Sequence, residues 1–257
     1  MAGVVEIRGV KLGEGIPKIC VPLIAAGMED IAGACEGILG VCFDLVEWRA
    51  DHFEGIFDRE SVKAALGIIR EKLGNRPLLF TFRTAEEGGE KSISATEYAK
   101  LLKFVCSLGL VDLVDVEIFR GDDLVSDIIS FAHSQNVRVI ASNHDFHKTP
   151  AKEDIIERLK KMQDMDADIT KIAVMPQNRG DVLTLLSATE EMKRLYADRP
   201  LVTMSMAGDG LISRLAGEVF GSDMTFGIGD KASAPGQIET DKLKTVLDII
   251  HLGMKGV

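Results

Sequence analysis

The chain has 257 residues, 46% of them hydrophobic, enough to bury one large core or two small ones. Its 30 basic and 40 acidic side chains leave a net charge of -10, which repels nucleic-acid phosphates and anionic membrane surfaces, so neither is an expected partner. The four cysteines (Cys20, Cys35, Cys42 and Cys106) form no C-x-x-C pair, no stretch approaches ~18 uninterrupted apolar residues, and the first ten residues lack the apolar core of a secretory signal; a reduced, cytoplasmic protein is expected.

Val4 to Gly13 alternates around Gly9 and reads as a small hairpin. Apolar runs then follow at Lys18 to Ala25, Phe43 to Trp48, Pro77 to Phe82, Leu113 to Ile118, Val137 to Ser142, Ile169 to Met175, Leu201 to Ser205 and Met224 to Ile228. Each precedes a segment of helical spacing: Glu29 to Leu39, Glu60 to Leu73, Thr96 to Leu108, Asp122 to Gln135, Lys152 to Met165, Asp181 to Tyr196, Gly210 to Phe220 and Thr240 to Leu252. Ser94 before Glu97 offers a helix cap. Strict alternation of strand and helix, with no linker or composition break, predicts one (β/α)8 TIM barrel domain over residues 1–257 with an N-terminal β-hairpin. An open doubly wound sheet is the alternative, but the first turn after a strand, Ile24 to Met28, lacks G-x-G-x-x-G.

Lys171 interrupts the strand run Asp168-Ile-Thr-Lys-Ile-Ala-Val-Met-Pro176, where alternation puts Ile169, Lys171, Ala173 and Met175 on one face. A lysine in a dry pocket favours the neutral amine, the form that attacks a ketone to make an imine. The competing reading is a strand lysine paired with a buried carboxylate; Asp115 and Glu117, sharing a face two strands earlier, are the available partners.

In a barrel the chemistry sits at the carboxyl ends of the strands, which narrows the search. After the second strand, Glu47 and Arg49 share a face and read as an inner ion pair; Arg83 ends the third strand, ahead of Glu86-Glu87-Gly-Gly. The fifth ends in His144, suited to proton transfer, and His147 follows; as a metal pair their His-x-x-His spacing is weak. Arg214 follows Met206 and a glycine-bearing turn, and its planar fork suits a carboxylate. The last loop carries Ser233, Ala234 and Gln237 between glycines and reads as a lid. An amine, an imidazole, carboxylates and three arginines on one rim suit a small polyhydroxylated keto acid.

The segments Glu47-Trp-Arg-Ala-Asp-His-Phe53, Thr81-Phe-Arg83, Ser142-Asn-His-Asp-Phe-His-Lys-Thr-Pro150, Lys171-Ile-Ala-Val-Met-Pro176, Ile212-Ser-Arg-Leu-Ala-Gly-Glu-Val-Phe-Gly221 and Ala232-Ser-Ala-Pro-Gly-Gln237 closely resemble the type I 3-dehydroquinate dehydratases of the shikimate pathway. The resemblance implies a barrel, usually a homodimer, that converts 3-dehydroquinate to 3-dehydroshikimate with no cofactor and no metal. It implies Lys171 as the imine-forming amine, His144 as the general base and then acid, and Glu87 as the carboxylate orienting it. By the same resemblance, Glu47, Arg49 and Arg83 contact the substrate hydroxyls. Arg214, Ser233 and Gln237 hold the substrate carboxylate, Ala234 lies among them, and Met206 packs on the ring. Relatives often carry serine where Pro22 stands, which removes a hydroxyl from the first strand. A class I aldolase or another imine-forming keto acid lyase is the enzymatic alternative, and a catalytically silent binding protein is the non-enzymatic one.

Overall fold

The computed structural model describes residues 3–229 and 236–256. Strands β1 (Val5–Ile7) and β2 (Val10–Leu12) pair antiparallel across a turn in which Arg8 and Gly9 adopt φ of 47° and 84°, as a tight two-residue hairpin turn requires. Their inward residues, Ile7 and Leu12, are buried against Leu45, Leu79, Leu113 and Ile169 at the starts of later strands, so the hairpin plugs the amino-terminal end of the barrel.

The barrel strands are β3 (Lys18–Leu23), β4 (Leu45–Arg49), β5 (Leu78–Thr81), β6 (Leu113–Glu117), β7 (Arg138–Asp145), β8 (Ile169–Val174), β9 (Leu201–Ser205) and β10 (Met224–Ile228). They pair in parallel in chain order, with β10 beside β3; a two-residue strand, β11 (Ile238–Glu239), extends β10. Around them lie α1 (Met28–Leu39), α2 (Arg59–Leu73), α3 (Ala95–Ser107), α4 (Asp122–Ser134), α5 (Lys152–Asp164), α6 (Arg179–Leu195), α7 (Leu211–Leu215), α8 (Gly217–Phe220) and α9 (Thr240–Met254). The predicted cap holds: Ser94 Oγ accepts from Glu97 N at 3.2 Å.

Alternation along the strands separates two apolar layers. Val46, Trp48, Phe80, Val114, Val116 and Ile172 face the helices, whereas Leu45, Leu79, Leu113, Ile140, Ile169 and Met224 fill the barrel. Two expectations need correction. The single helix predicted over Gly210 to Phe220 is two short ones, interrupted at Ala216, after which Gly217 packs so closely that a Cβ there would lie 2.9 Å from the Ser222 carbonyl oxygen. The fifth barrel strand continues past Ser142 to Asp145, drawing Asn143 and His144 into register with Ile172 and Ala173.

The seam between β9 and β10 is sealed by side chains. Leu201 N donates to Asp223 Oδ2 at 2.8 Å, Thr203 N to Ser222 Oγ at 3.0 Å and Ser205 N to Ser213 Oγ at 2.8 Å, so β9 amides find acceptors beyond the backbone ladder.

Candidate active site

Above the apolar floor, the inward positions turn polar. Lys171 on β8 is buried, with its Nζ 3.2 Å from Asp115 Oδ2, 3.7 Å from Glu47 Oε1 and 4.7 Å from the centre of the Phe226 ring. Two buried carboxylates thus compensate its charge. The carboxylate pairing left open in the sequence is therefore present, with Asp115 as the partner. The amine nevertheless lines the same cavity as His144.

Asp115 is shared. Its Oδ1 lies 2.8 Å from Arg83 Nη2 and accepts from Ser142 Oγ at 2.6 Å. Burial disfavours the Asp115 charge, but Arg83 and Lys171 outweigh it and hold the carboxyl below its usual range. Glu117, also offered as a partner for Lys171, binds Arg83 Nη1 at 2.9 Å and the Thr84 backbone and hydroxyl at 2.9 and 2.8 Å. Arg83 is thus a hub whose cost of burial is met by acids on β6.

The predicted inner pair of Glu47 and Arg49 is not the one formed. Arg49 grips Asp51 with both prongs, Nε to Oδ1 at 2.9 Å and Nη2 to Oδ2 at 2.8 Å, while Glu47 accepts from Thr81 Oγ1 at 2.9 Å and turns toward Lys171. The chain bends into a short helical turn at Ala50–His52, bringing a fully buried carboxylate back to Arg49; strand alternation cannot foresee such a partner.

His144 Nδ1 sits 2.9 Å from Glu87 Oε2, which also accepts from the His144 backbone N at 2.9 Å. Glu87 ends a helical turn at Ala85–Glu87 and is followed by Gly88 at φ 82°. Burial raises the Glu87 carboxyl to about 7 against the pull of Arg83, with the Glu117 charge adding to the rise. Burial, joined by Arg83, Lys171 and Arg49, pushes His144 well below the usual histidine range. A neutral imidazole whose Nδ1–H donates to Glu87 keeps its lone pair on Nε2, the tautomer of a general base. His147 is exposed and its backbone turns back on Asp145, so it does not join His144.

Arg214 on α7 is buried, with Nη1 3.8 Å from Met204 Sδ, and burial lowers its guanidinium to about 10. Arg214, Met206 and Gln237 line the cavity with Glu47, Arg49, Arg83, Glu87, His144 and Lys171, a concave site with convergent polar groups. Ser233 and Ala234 lie outside the described residues. The expected site residues that are described thus converge on one cavity. Met204 and Phe226, unforeseen there, share the inward faces of Met206 and Met224, so counting by twos along β9 and β10 would have found them. Pro22, buried on β3 in register with Glu47, is not among the lining residues.

A family model described as type I 3-dehydroquinase matches residues 19–254. A 3-dehydroquinate dehydratase of Clostridioides difficile is 51% identical over 247 residues, covering 96% of this chain and 97% of that protein. One from Salmonella agona is 54% identical over 247 residues, covering 96% and 98%. Among solved structures, a type I 3-dehydroquinate dehydratase from Clostridium difficile with covalent modified comenic acid superposes with a TM-score of 0.96 at 50% identity, covering 98% of this chain and 100% of that one. With the family model spanning most of its length and relatives about half identical throughout, the chain belongs to the type I 3-dehydroquinase family.

Proposed function

We propose that this chain dehydrates 3-dehydroquinate to 3-dehydroshikimate and water, a step of the shikimate pathway, through an imine between Lys171 Nζ and the substrate ketone. The observation that carries the reading is that the Lys171 amine and the Glu87-bound imidazole of His144, on adjacent strands, line one cavity. Relatives named 3-dehydroquinate dehydratase, one solved with a covalently modified ligand, support it.

Carbanion formation beside a ketone is slow because the charge has no acceptor; a protonated imine supplies one on the neighbouring atom. Before attack the ammonium gives up a proton, for which Asp115 Oδ2 and Glu47 Oε1 are acceptors close at hand. After imine formation, His144 Nε2 takes the proton from the adjacent carbon. The electron pair moves into the imine, and the imidazolium returns its proton to the departing hydroxyl, which leaves as water. Hydrolysis of the imine frees the product and restores the amine. General acid–base help supplies roughly 10²- to 10⁴-fold, so the imine carries much of the remaining acceleration.

In this reading Arg214 and Gln237, with Ser233 and Ala234, hold the substrate carboxylate. Glu47, Arg49 and Arg83 meet its hydroxyls, and Met206 packs on the ring. Lys171 attacks, His144 moves the proton and Glu87 orients the histidine. No metal or organic cofactor enters any step. We extend the proposal to a single working domain over residues 1–257, a homodimer, and a cytoplasmic setting. Four free cysteines accord with a reducing compartment, and among the described residues no helix is long and apolar enough to cross a membrane.

Borohydride reduction with 3-dehydroquinate, followed by peptide mass spectrometry, tests the chemistry: a ligand-derived mass is expected on Lys171 alone. An unmodified Lys171, in a protein that also generates no enone absorbance from 3-dehydroquinate, would overturn it.

A further inference from the structure

The chain of contacts that orients His144 does not stop at Glu87. Glu87 Oε1 accepts from Asn143 Nδ2 at 3.1 Å, and Asn143 Oδ1 accepts from Arg158 Nη1 at 2.9 Å. Asn143 and Glu87 are buried, whereas the Arg158 side chain reaches in from α5 and stays 24% exposed.

The chemistry of these three groups fixes their order. A carboxamide has one donor end and one acceptor end, and a guanidinium only donates. Holding Oδ1 with Arg158 therefore leaves Nδ2, the donor end, for Glu87. A flipped amide would set Oδ1 against a carboxylate oxygen with no proton between them, which is tolerable only when Glu87 is protonated. Protonated Glu87 is a weaker acceptor for the His144 Nδ1 proton and leaves the imidazole less firmly oriented.

We propose that Arg158 is a positioning residue: by locking the Asn143 amide in one orientation, it keeps Glu87 the charged acceptor that holds His144 in its base tautomer. The inference rests on the reading of His144 as the base. Arg83 Nη1, 3.6 Å away, also faces Glu87, with the Glu117 and Asp115 charges behind it; His144 faces Arg83, Lys171 and Arg49. Because burial already brings Glu87 to about 7, one hydrogen bond suffices to tip its protonation near neutrality. Around Arg158 itself stand the Phe119 ring at 5.7 Å and Asp145 Oδ2, 4.0 Å from the same Nη1 that donates to Asn143 at 2.9 Å.

The test uses Arg158→Met, Arg158→Lys, Asn143→Ala and the Arg158→Met/Asn143→Ala double variant, read by carboxyl ¹³C NMR of Glu87, the pH profile of kcat/KM, and borohydride trapping of 3-dehydroquinate on Lys171. Arg158→Met is expected to move the Glu87 titration, and the acidic limb of kcat/KM, upward by roughly 0.7 of a pH unit, the equivalent of one hydrogen bond. KM and imine trapping stay within about twofold of wild type, the scale of a contact remote from the ligand. Arg158→Lys, which still donates to Oδ1, restores most of the effect, and adding Arg158→Met to Asn143→Ala shifts nothing further. An Arg158→Met protein with an unmoved Glu87 titration, or one losing activity only as it loses folded protein, overturns the inference. Absence of wild-type turnover counts against the dehydratase reading, while the NMR arm still decides the role of Arg158.

Discussion

Replacing Glu87 by Gln should stabilise the protein at alkaline pH while slowing it as an enzyme. Burial raises the carboxyl from about 4.5 to about 7, so the folded protein holds a proton that the unfolded chain has lost across that window. The sign follows: the stability linked to this group is fully present below about 4.5 and is lost as the pH rises through about 7. Glutamine does not ionise and loses nothing. The Glu87 side chain is 11% exposed, so solvent screening does not cancel the effect. Between pH 5 and pH 8 the linkage is worth about 2 to 3 kcal/mol, which for a chain of this size is roughly 5 to 10 °C in Tm. The assay is scanning calorimetry of both proteins at the two pH values. Costs that do not depend on pH, such as a glutamine NH₂ group turned against Asn143 Nδ2, cancel in the double difference. The variant should gain on wild type as the pH rises from 5 to 8, and a Tm difference that stays constant or shrinks would refute the reasoning. At pH 7 its kcat should fall by at least roughly tenfold, the scale of a misoriented acid–base group.

Lys171→Ala should abolish turnover and borohydride trapping while retaining ligand binding by fluorescence or calorimetry. It should also lower stability by about 3 kcal/mol, because Glu47 loses its buried cation and Asp115 keeps only Arg83 of its two; full stability would mean that the ion pair counts for little. His144→Gln should still trap substrate on Lys171 but lose roughly 10²- to 10⁴-fold in kcat, so loss of trapping together with turnover would move His144 to an earlier step. Ser222→Ala strips the acceptor from Thr203 N in the β9–β10 seam and should cost about 1 to 3 kcal/mol in urea unfolding. A wild-type unfolding curve for that variant would show that the seam is held by other contacts.

The barrel was legible because strand and helix leave different periods in the chain, and a charged residue inside a strand run, such as Lys171, Asp115 or Glu47, stands out against its apolar neighbours. Which charge meets which was less so. Arg49 finds Asp51 through a turn after the strand, and Glu117 goes to Arg83, because partner choice depends on side-chain reach across strands, which spacing along one strand does not encode. The seam serines and the Arg158–Asn143 contact were equally hidden, since a hydroxyl or an arginine on a helix surface carries no periodic signal. The helix split at Ala216 stands beside the close packing of Gly217 on Ser222, a tertiary constraint that helical spacing does not encode.

The position of these charges explains how an acidic protein can hold a cationic, reactive interior. Arg49, Arg83 and Lys171 each have a buried carboxylate within hydrogen-bond reach, and those carboxylates stand on β6 or on the turn that follows β4. Rigid strands on both sides fix the geometry during folding, so the electrostatic field at the amine and imidazole is set before a ligand enters. Desolvation makes such a network expensive, and each member depends on the others to offset its burial. Asp115 shows the dependence most directly: the same carboxylate accepts from Ser142 and faces both Arg83 and Lys171, so altering any one of them reaches the amine. Chemistry that needs an amine, a base and an anion clamp within one small cavity thus requires acids in numbers that look excessive until their partners are counted.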